Sequence, residues 1–212
     1  MQLQGQVGAP VTSYGPGTQP SIRTGQQADL IAEQLHGKNY ETNYRVSLFS
    51  TFINALTIVS THASPIAAGT GTPIISVFNP AGSGKNVSLL RMQQAHTSGT
   101  AAGPLLWNII PNPQNISAAF TTAYMNFNNA QTSSVTRIFN NVALTASTIG
   151  TAFRSAGGPS SAASLTGAVQ TFAEDFQGDL IIQPGFMLAL AATGTGTSHV
   201  LSVYLEWEEL PI

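Results

Sequence analysis

The chain has 212 residues, of which only 16 are charged (7 basic, 9 acidic, net −2), and no cysteine. That excludes disulfides and thiolate chemistry, and it leaves no Lys/Arg cluster or positive field with which to hold nucleic acid. The missing charge is made up by Thr, Ser, Asn, Gln and Gly beside an ordinary 42% hydrophobic share, a profile suited to strands, turns and contact surfaces. A surface so weakly charged limits the solubility of a free monomer, so coverage by other chains is expected.

Residues 1–27 read as an extended arm, because Gly5, Gly8, Pro10, Gly15, Pro16, Gly17 and Pro20 fall too close together for regular structure. The opening residues lack a basic segment followed by an apolar one, so no signal peptide is expected, and no run approaches 18 apolar residues. Residues 28–43 form a connecting clasp, in which Ala28–Leu35 is a short helix or an edge strand. Tyr40, Tyr44 and Arg45 can stack rings against a guanidinium there.

Residues 44–212 read as an all-β domain. Apolar alternation predicts strands at Tyr44–Ile53, Leu56–Thr61, Thr72–Phe78, Asn86–Ala95, Leu105–Ile110, Ala118–Phe127 and Ser133–Leu144. Gly167–Phe176, Asp179–Gln183, Phe186–Thr193 and Ser198–Glu208 follow, with Gly/Pro/Asn/Ser turns between them. So many short strands without a long amphipathic helix predict a jelly-roll-like antiparallel β-sandwich carrying an extended N-terminal arm. In the last strand Leu201, Val203, Leu205 and Trp207 share a core face, while Ser202, Tyr204, Glu206 and Glu208 face water or a partner. Residues 194–197 are expected to close a hairpin with the strand before it, and Ala152–Ser164 is expected to be the longest loop.

The stretch Ile74–Gln94 invites a catalytic reading, since Ala81-Gly82-Ser83-Gly84-Lys85 suggests a phosphate-cradling loop. The spacing fails. Asn79 stands where the first Gly belongs and Asn86 where the Mg²⁺-holding hydroxyl belongs, and no helix pattern follows. A wide Gly-rich β-hairpin connection fits better. Elsewhere, His36, His62, His96 and His199 stand apart in sequence, and Glu174, Asp175 and Asp179 lack the alternating pattern of a Ca²⁺ loop. Trp107, Tyr124, Phe127 and Phe139 could line a sugar-binding face, although aromatics in alternating strands are more often core. No catalytic residue, cofactor or metal site is expected.

Charge is segregated along the chain. Residues 46–173 hold four bases (Lys85, Arg91, Arg137, Arg154) and no acid, while residues 174–212 hold six acids and no Lys or Arg. Complementary patches pairing between neighbouring subunits are the functional reading. Candidate contacts with other subunits or a larger assembly are Arg23, Lys38, Tyr40, Tyr44, Arg45, Lys85, Glu206 and Glu208.

Four places carry a family resemblance: Arg23-Thr24-Gly25 to His36-Gly37-Lys38-Asn39-Tyr40-Glu41 and on through Tyr44-Arg45 to Phe49; Phe78-Asn79-Pro80 with Ser83-Gly84-Lys85; Gln183-Pro184-Gly185; and Trp207-Glu208-Glu209-Leu210-Pro211-Ile212. In their order the chain resembles tailed-bacteriophage virion structural proteins of the capsid decoration or cement type. The resemblance implies a non-enzymatic β-sandwich that forms a homo-oligomer, with a trimer as first guess, on the major capsid protein. It implies a place on the capsid surface after assembly in the host cytoplasm, and contact with neither nucleic acid nor membrane. A receptor- or glycan-binding spike or fibre module is the alternative expectation, and a major capsid protein a more distant one.

Overall fold

The structure, a computed structural model, describes residues 5–6, 22–23, 47–58, 62, 64, 66, 71–100, 103–113, 124–126, 134–144, 150–158, 169–194 and 197–212. The chain divides into two compact units, Met1–Tyr40 and Glu41–Ile212, with the division inside the expected clasp segment 28–43. In the first unit, β1 (Gly5–Gln6) pairs in parallel with β2 (Ile22–Arg23). The arm therefore folds a short ladder on itself.

The second unit is an antiparallel β-sandwich, and the described residues contain no α-helix. Its strands are β3 (Leu48–Ile58), β4 (Ile75–Phe78), β5 (Lys85–Thr100), β6 (Leu105–Pro111), β7 (Tyr124–Asn126) and β8 (Arg137–Asn140). They continue with β9 (Thr151–Gly157), β10 (Gln170–Ile182), β11 (Phe186–Ala192) and β12 (Thr197–Pro211). One sheet runs β10-β5-β12-β3-β7 and the other β8-β4-β11-β6-β9.

The core lies between the sheets. Phe49, Ile53, Val87, Leu89, Met92, Phe176, Leu201, Val203, Leu205 and Trp207 come from the first sheet. Ile75, Val77, Leu105, Trp107, Ile138, Leu188 and Leu190 come from the second. Trp207 stacks on Phe49 at 6.1 Å, and Trp107 meets Phe176 edge-on at 6.2 Å, joining β6 to β10 across the interior. Each such fully buried large side chain contributes roughly 1.5–3 kcal/mol. Trp107 and Phe139 are both sequestered from solvent, so neither belongs to a sugar-binding face.

Several sequence expectations are corrected by the pairing. The Ile74–Gln94 stretch is no hairpin: β4 pairs with β11 and β8, while β5 pairs with β10 and β12. The Gly-rich connection carries the chain from one sheet to the other. Its corner is held by Asn79, whose Nδ2 donates to the carbonyls of Lys85 and Ile182, both at 2.8 Å. The positive φ of Gly82 and Gly84 (77° and 68°) turns the backbone there. Likewise β11 and β12 lie in opposite sheets and do not form the expected hairpin. Strand alternation is a local property, whereas the choice of partner is set by the whole topology.

Ala152–Gly157, expected to open the longest loop, belongs to strand β9 on β6. Its signal is faint because only Ala156 along it is buried. Two pairs of expected strands are single bulged strands instead. In β3 the bulge is at Asn54 and Ala55, with Ala55 at φ 53°. In β10 it is at Gln177 and Gly178, at φ 49° and 94°. The expected strand Ser133–Leu144 is confined to Arg137–Asn140, and Asn141 at φ 51° ends it. Of the expected strand 118–127, residues 124–126 pair with β3 and the rest lies outside the described residues.

Candidate functional site

The two sheets differ on their outer sides. β11 is buried on both faces: Leu188, Leu190 and Ala192 enter the central core, while Met187, Ala189 and Ala191 pack with Ile66, Ile110, Phe139 and Leu144 in a second apolar layer. The outer side of the β10-β5-β12-β3 ladder is polar, and part of it is open. Register lines its side chains into rows, because residues directly opposite one another in antiparallel strands project to the same face.

One row is Ala173, Gln93, Tyr204 and Phe52, taken across β10, β5, β12 and β3. A second is Thr171, Ala95 and Ser202. Ser202 Oγ donates to Asn54 Oδ1 at 2.7 Å and thereby extends that row onto β3. A third, on the other side of the first, is Asp175, Arg91, Glu206 and Ser50. The first two rows form a groove of about 490 Å³. Ala95, Ala173 and Ser202 are its small lining residues, and Phe52, 60% exposed, borders it.

Tyr204 and Glu206 couple the groove to the charged row. The Tyr204 hydroxyl donates to Glu206 Oε2 at 3.2 Å. Burial, then the Glu206 carboxylate, push that phenol up to about 12, so it remains a neutral donor. Glu206 is 8% exposed and Glu208 half-buried; both were expected on a face open to water or a partner, and Glu206 is instead largely enclosed.

A second arrangement fastens the C-terminal strand. Glu209, next to the two expected glutamates, has a fully buried side chain. Its Oε1 accepts from Ser134 Oγ, from Thr136 Oγ1 at 2.9 Å, and from the backbone N–H groups of Val135 at 2.9 Å and Thr136 at 3.1 Å. Its Oε2 accepts from Lys85 Nζ at 3.0 Å. Burial acts to raise this carboxyl, but the hydrogen bonds from Ser134, Lys85 and Thr136 outweigh it and hold it below the ordinary range. Lys85, expected to bridge to a neighbouring subunit, is thus engaged within its own chain.

The same holds for Arg154. Its guanidinium binds Glu174 at 2.7 Å, reaches Asp179 at 3.4 Å and lies 5.3 Å from the centre of the Phe176 ring. Lys85 and Arg154 thus pair with acids of their own chain, where the sequence reading expected pairing between neighbouring subunits. Topology explains this. The acid-bearing strands β10 and β12 flank β5, and β10 meets β9 at the side of the sandwich.

The third arrangement joins two histidines 103 residues apart. His96 Nδ1 and His199 Nε2 lie 2.7 Å apart on the neighbouring strands β5 and β12, with both rings fully buried. Phe172 meets His96 edge-on at 5.5 Å. One ring N–H donates to the bare nitrogen of the other, so one proton lies between the two rings. Burial, reinforced by the neighbouring His199, drives His96 down to about 4, and burial also lowers His199. Among the described residues no group of three or more His, Cys, Asp or Glu is placed to hold a metal. Among the described residues no helix is long and apolar enough to cross a membrane.

Of the residues singled out from sequence, Arg23 lies in β2, while Lys38, Tyr40, Tyr44 and Arg45 lie outside the described residues. The sequence reading missed the histidine pair, the Glu209 anchor and the Phe52 groove. Nothing in the sequence joins positions 96 and 199. Phe52, in contrast, had a signal: Phe49, Thr51 and Ile53 turn inward, so strand alternation sends Ser50 and Phe52 outward. Compared with protein families and with curated proteins, the chain matches none.

Proposed function

We propose that this chain is a non-enzymatic structural component of a tailed-phage virion, a decoration or cement protein that oligomerises on the head shell. The observation that carries this reading is a weakly charged sandwich with an apolar flank. β9 and β10 are each the last strand of their sheets, and they meet where Arg154 binds Glu174. Exposed apolar side chains stand on or beside these edge strands: Phe153 on β9, Ile181 on β10 and Val169 just before β10 are 46%, 55% and 64% exposed. Edge strands present unpaired backbone groups, and solvent-facing apolar side chains on them suit lateral packing against another chain.

The strand order supports the finer fold assignment. Setting β7 and β8 aside, β10-β5-β12-β3 faces β9-β6-β11-β4, the arrangement of a jelly roll, an architecture used by viral capsid and lectin domains. The major capsid protein and further copies of this chain are the partners in this reading, with a trimer as the first assembly to test and the capsid surface as its location. The fibre or spike alternative draws on the same architecture but has no counterpart to the apolar flank.

The test is a double variant, Phe153→Lys with Ile181→Lys, added to capsid particles and followed by co-sedimentation. Occupancy should fall at least about tenfold while the thermal midpoint of the free protein stays within a few degrees, since both side chains face solvent. Unchanged occupancy, or failure of the wild-type protein to bind particles at all, overturns the assignment.

A further inference from the structure

We propose that the groove across β10, β5, β12 and β3 is a binding site for a neutral saccharide, with a hexose ring lying against Phe52. This goes beyond the structural role above and does not rest on it. Three properties of the groove argue for such a ligand.

The first is its lining. Phe52 and Tyr204 supply ring surface, Gln93 an amide with both donors and acceptor, and Thr171 and Ser202 hydroxyls. A pyranose has the matching construction, an apolar C–H face and a rim of hydroxyls that both donate and accept. A ring on a sheet face that is 60% exposed offers the C–H face a platform.

The second is charge. None of the lining residues is ionised at neutral pH, since the one titratable group, Tyr204, is a phenol bonded to Glu206. The charged row alongside sets Arg91 between Asp175 and Glu206, so it offers no unbalanced cation to an acidic ligand. Charge complementarity thus selects an uncharged, polyhydroxylated partner over a phosphate, a nucleic acid or an acidic peptide.

The third is size and preorganisation. About 490 Å³ lies within the usual range of small-molecule sites and admits one or two sugar rings. Ser202 is held by Asn54 and Tyr204 by Glu206, so two polar groups at the groove are fixed before binding. A second copy of the chain is a poorer occupant. Phe52 is the one exposed large hydrophobic among the lining residues, whereas a stable dimer buries roughly 800 Å² per partner around an apolar centre.

The experiment uses the full chain on a broad array of neutral and acidic glycans, with each hit followed by saturation-transfer NMR and calorimetry. The expected result is binding to one or more neutral glycans, with magnetisation transferred from aromatic protons to the sugar ring. Phe52→Ala should weaken it about tenfold or more without lowering the thermal midpoint. Gln93→Ala should weaken it as well. An array without neutral hits overturns the proposal, as do hits confined to acidic glycans or affinities unchanged in both variants. Sedimentation-velocity analysis covers the rival occupant: self-association abolished by Phe52→Ala assigns the face to a second copy and overturns the saccharide site. Particle occupancy is measured separately, so either result stands without the other.

Discussion

The outer face of β11 is buried under Ile66 and Leu144, whereas that of the β10-β5-β12-β3 ladder exposes Phe52, Gln93 and Arg91. The contrast is written into one strand of each sheet. β11 is apolar at every position because both its faces are covered, while β12 alternates Leu201, Val203, Leu205 and Trp207 with Ser202, Tyr204, Glu206 and Glu208. Ala189 and Ala191 are small because a second layer sits directly on them, and Ala173 and Ala95 are small where the open face sinks into a groove. The same residue type thus marks close packing on one sheet and a surface depression on the other.

Paired substitutions break this comparison most sharply. Ala189→Asp places a carboxylate in the second apolar layer, away from water and opposite only the neutral Ser76 and Asn108, and it should cost more than about 4 kcal/mol or abolish folding. Ala173→Asp makes the same change on the open side and should stay within about 0.5 kcal/mol. Urea unfolding of the two variants decides it, and equal losses would mean that both outer faces are buried in solution.

The Glu209 anchor sharpens the picture of how β12 is fastened. Glu209→Gln keeps the shape but removes the charge that Lys85, Ser134, Val135 and Thr136 converge on, and should cost about 2–3 kcal/mol at pH 7. The folded carboxyl protonates at lower pH than the unfolded one, whose ordinary value is 4.5. Its stabilisation is therefore complete above that value and is lost as pH falls through the lower, folded one. The variant should lose that part of the acid sensitivity, as seen by comparing unfolding free energies between pH 7 and pH 3.

The histidine pair gives the smallest effect near neutrality and a distinct pH window. The unfolded chain takes up a proton on His96 near 6.5, whereas the folded protein resists protonation until about 4. Stability should accordingly fall as pH drops across that interval and level off below it. His96→Gln should flatten the slope there while leaving the more acidic, Glu209-dependent loss in place. Unfolding midpoints at pH 7, 5.5 and 4.5 measure it, and an unchanged slope would exclude the pair as its source.

Much of this architecture was legible in residue order. Leu201 to Trp207 announce a half-buried strand without help from any partner, because a period of two is imposed by the backbone itself. The paucity of charge and the runs of Thr, Asn and Gly favour strands over helices, and the mismatched Asn79 and Asn86 remove the nucleotide reading. The outward position of Phe52 also followed from alternation. Other features were illegible for a physical reason: they depend on distance in space between residues remote in sequence. Which sheet receives each strand, that β4 and β5 part company at Asn79, that Lys85 meets Glu209 and that His96 meets His199 are all consequences of closing two sheets over one core. Sequence alone determined the strongly alternating strands and their inward faces, since both arise from local backbone geometry and apolar burial. Only the tertiary structure decided which face stays open, because that depends on which distant segments return to cover it.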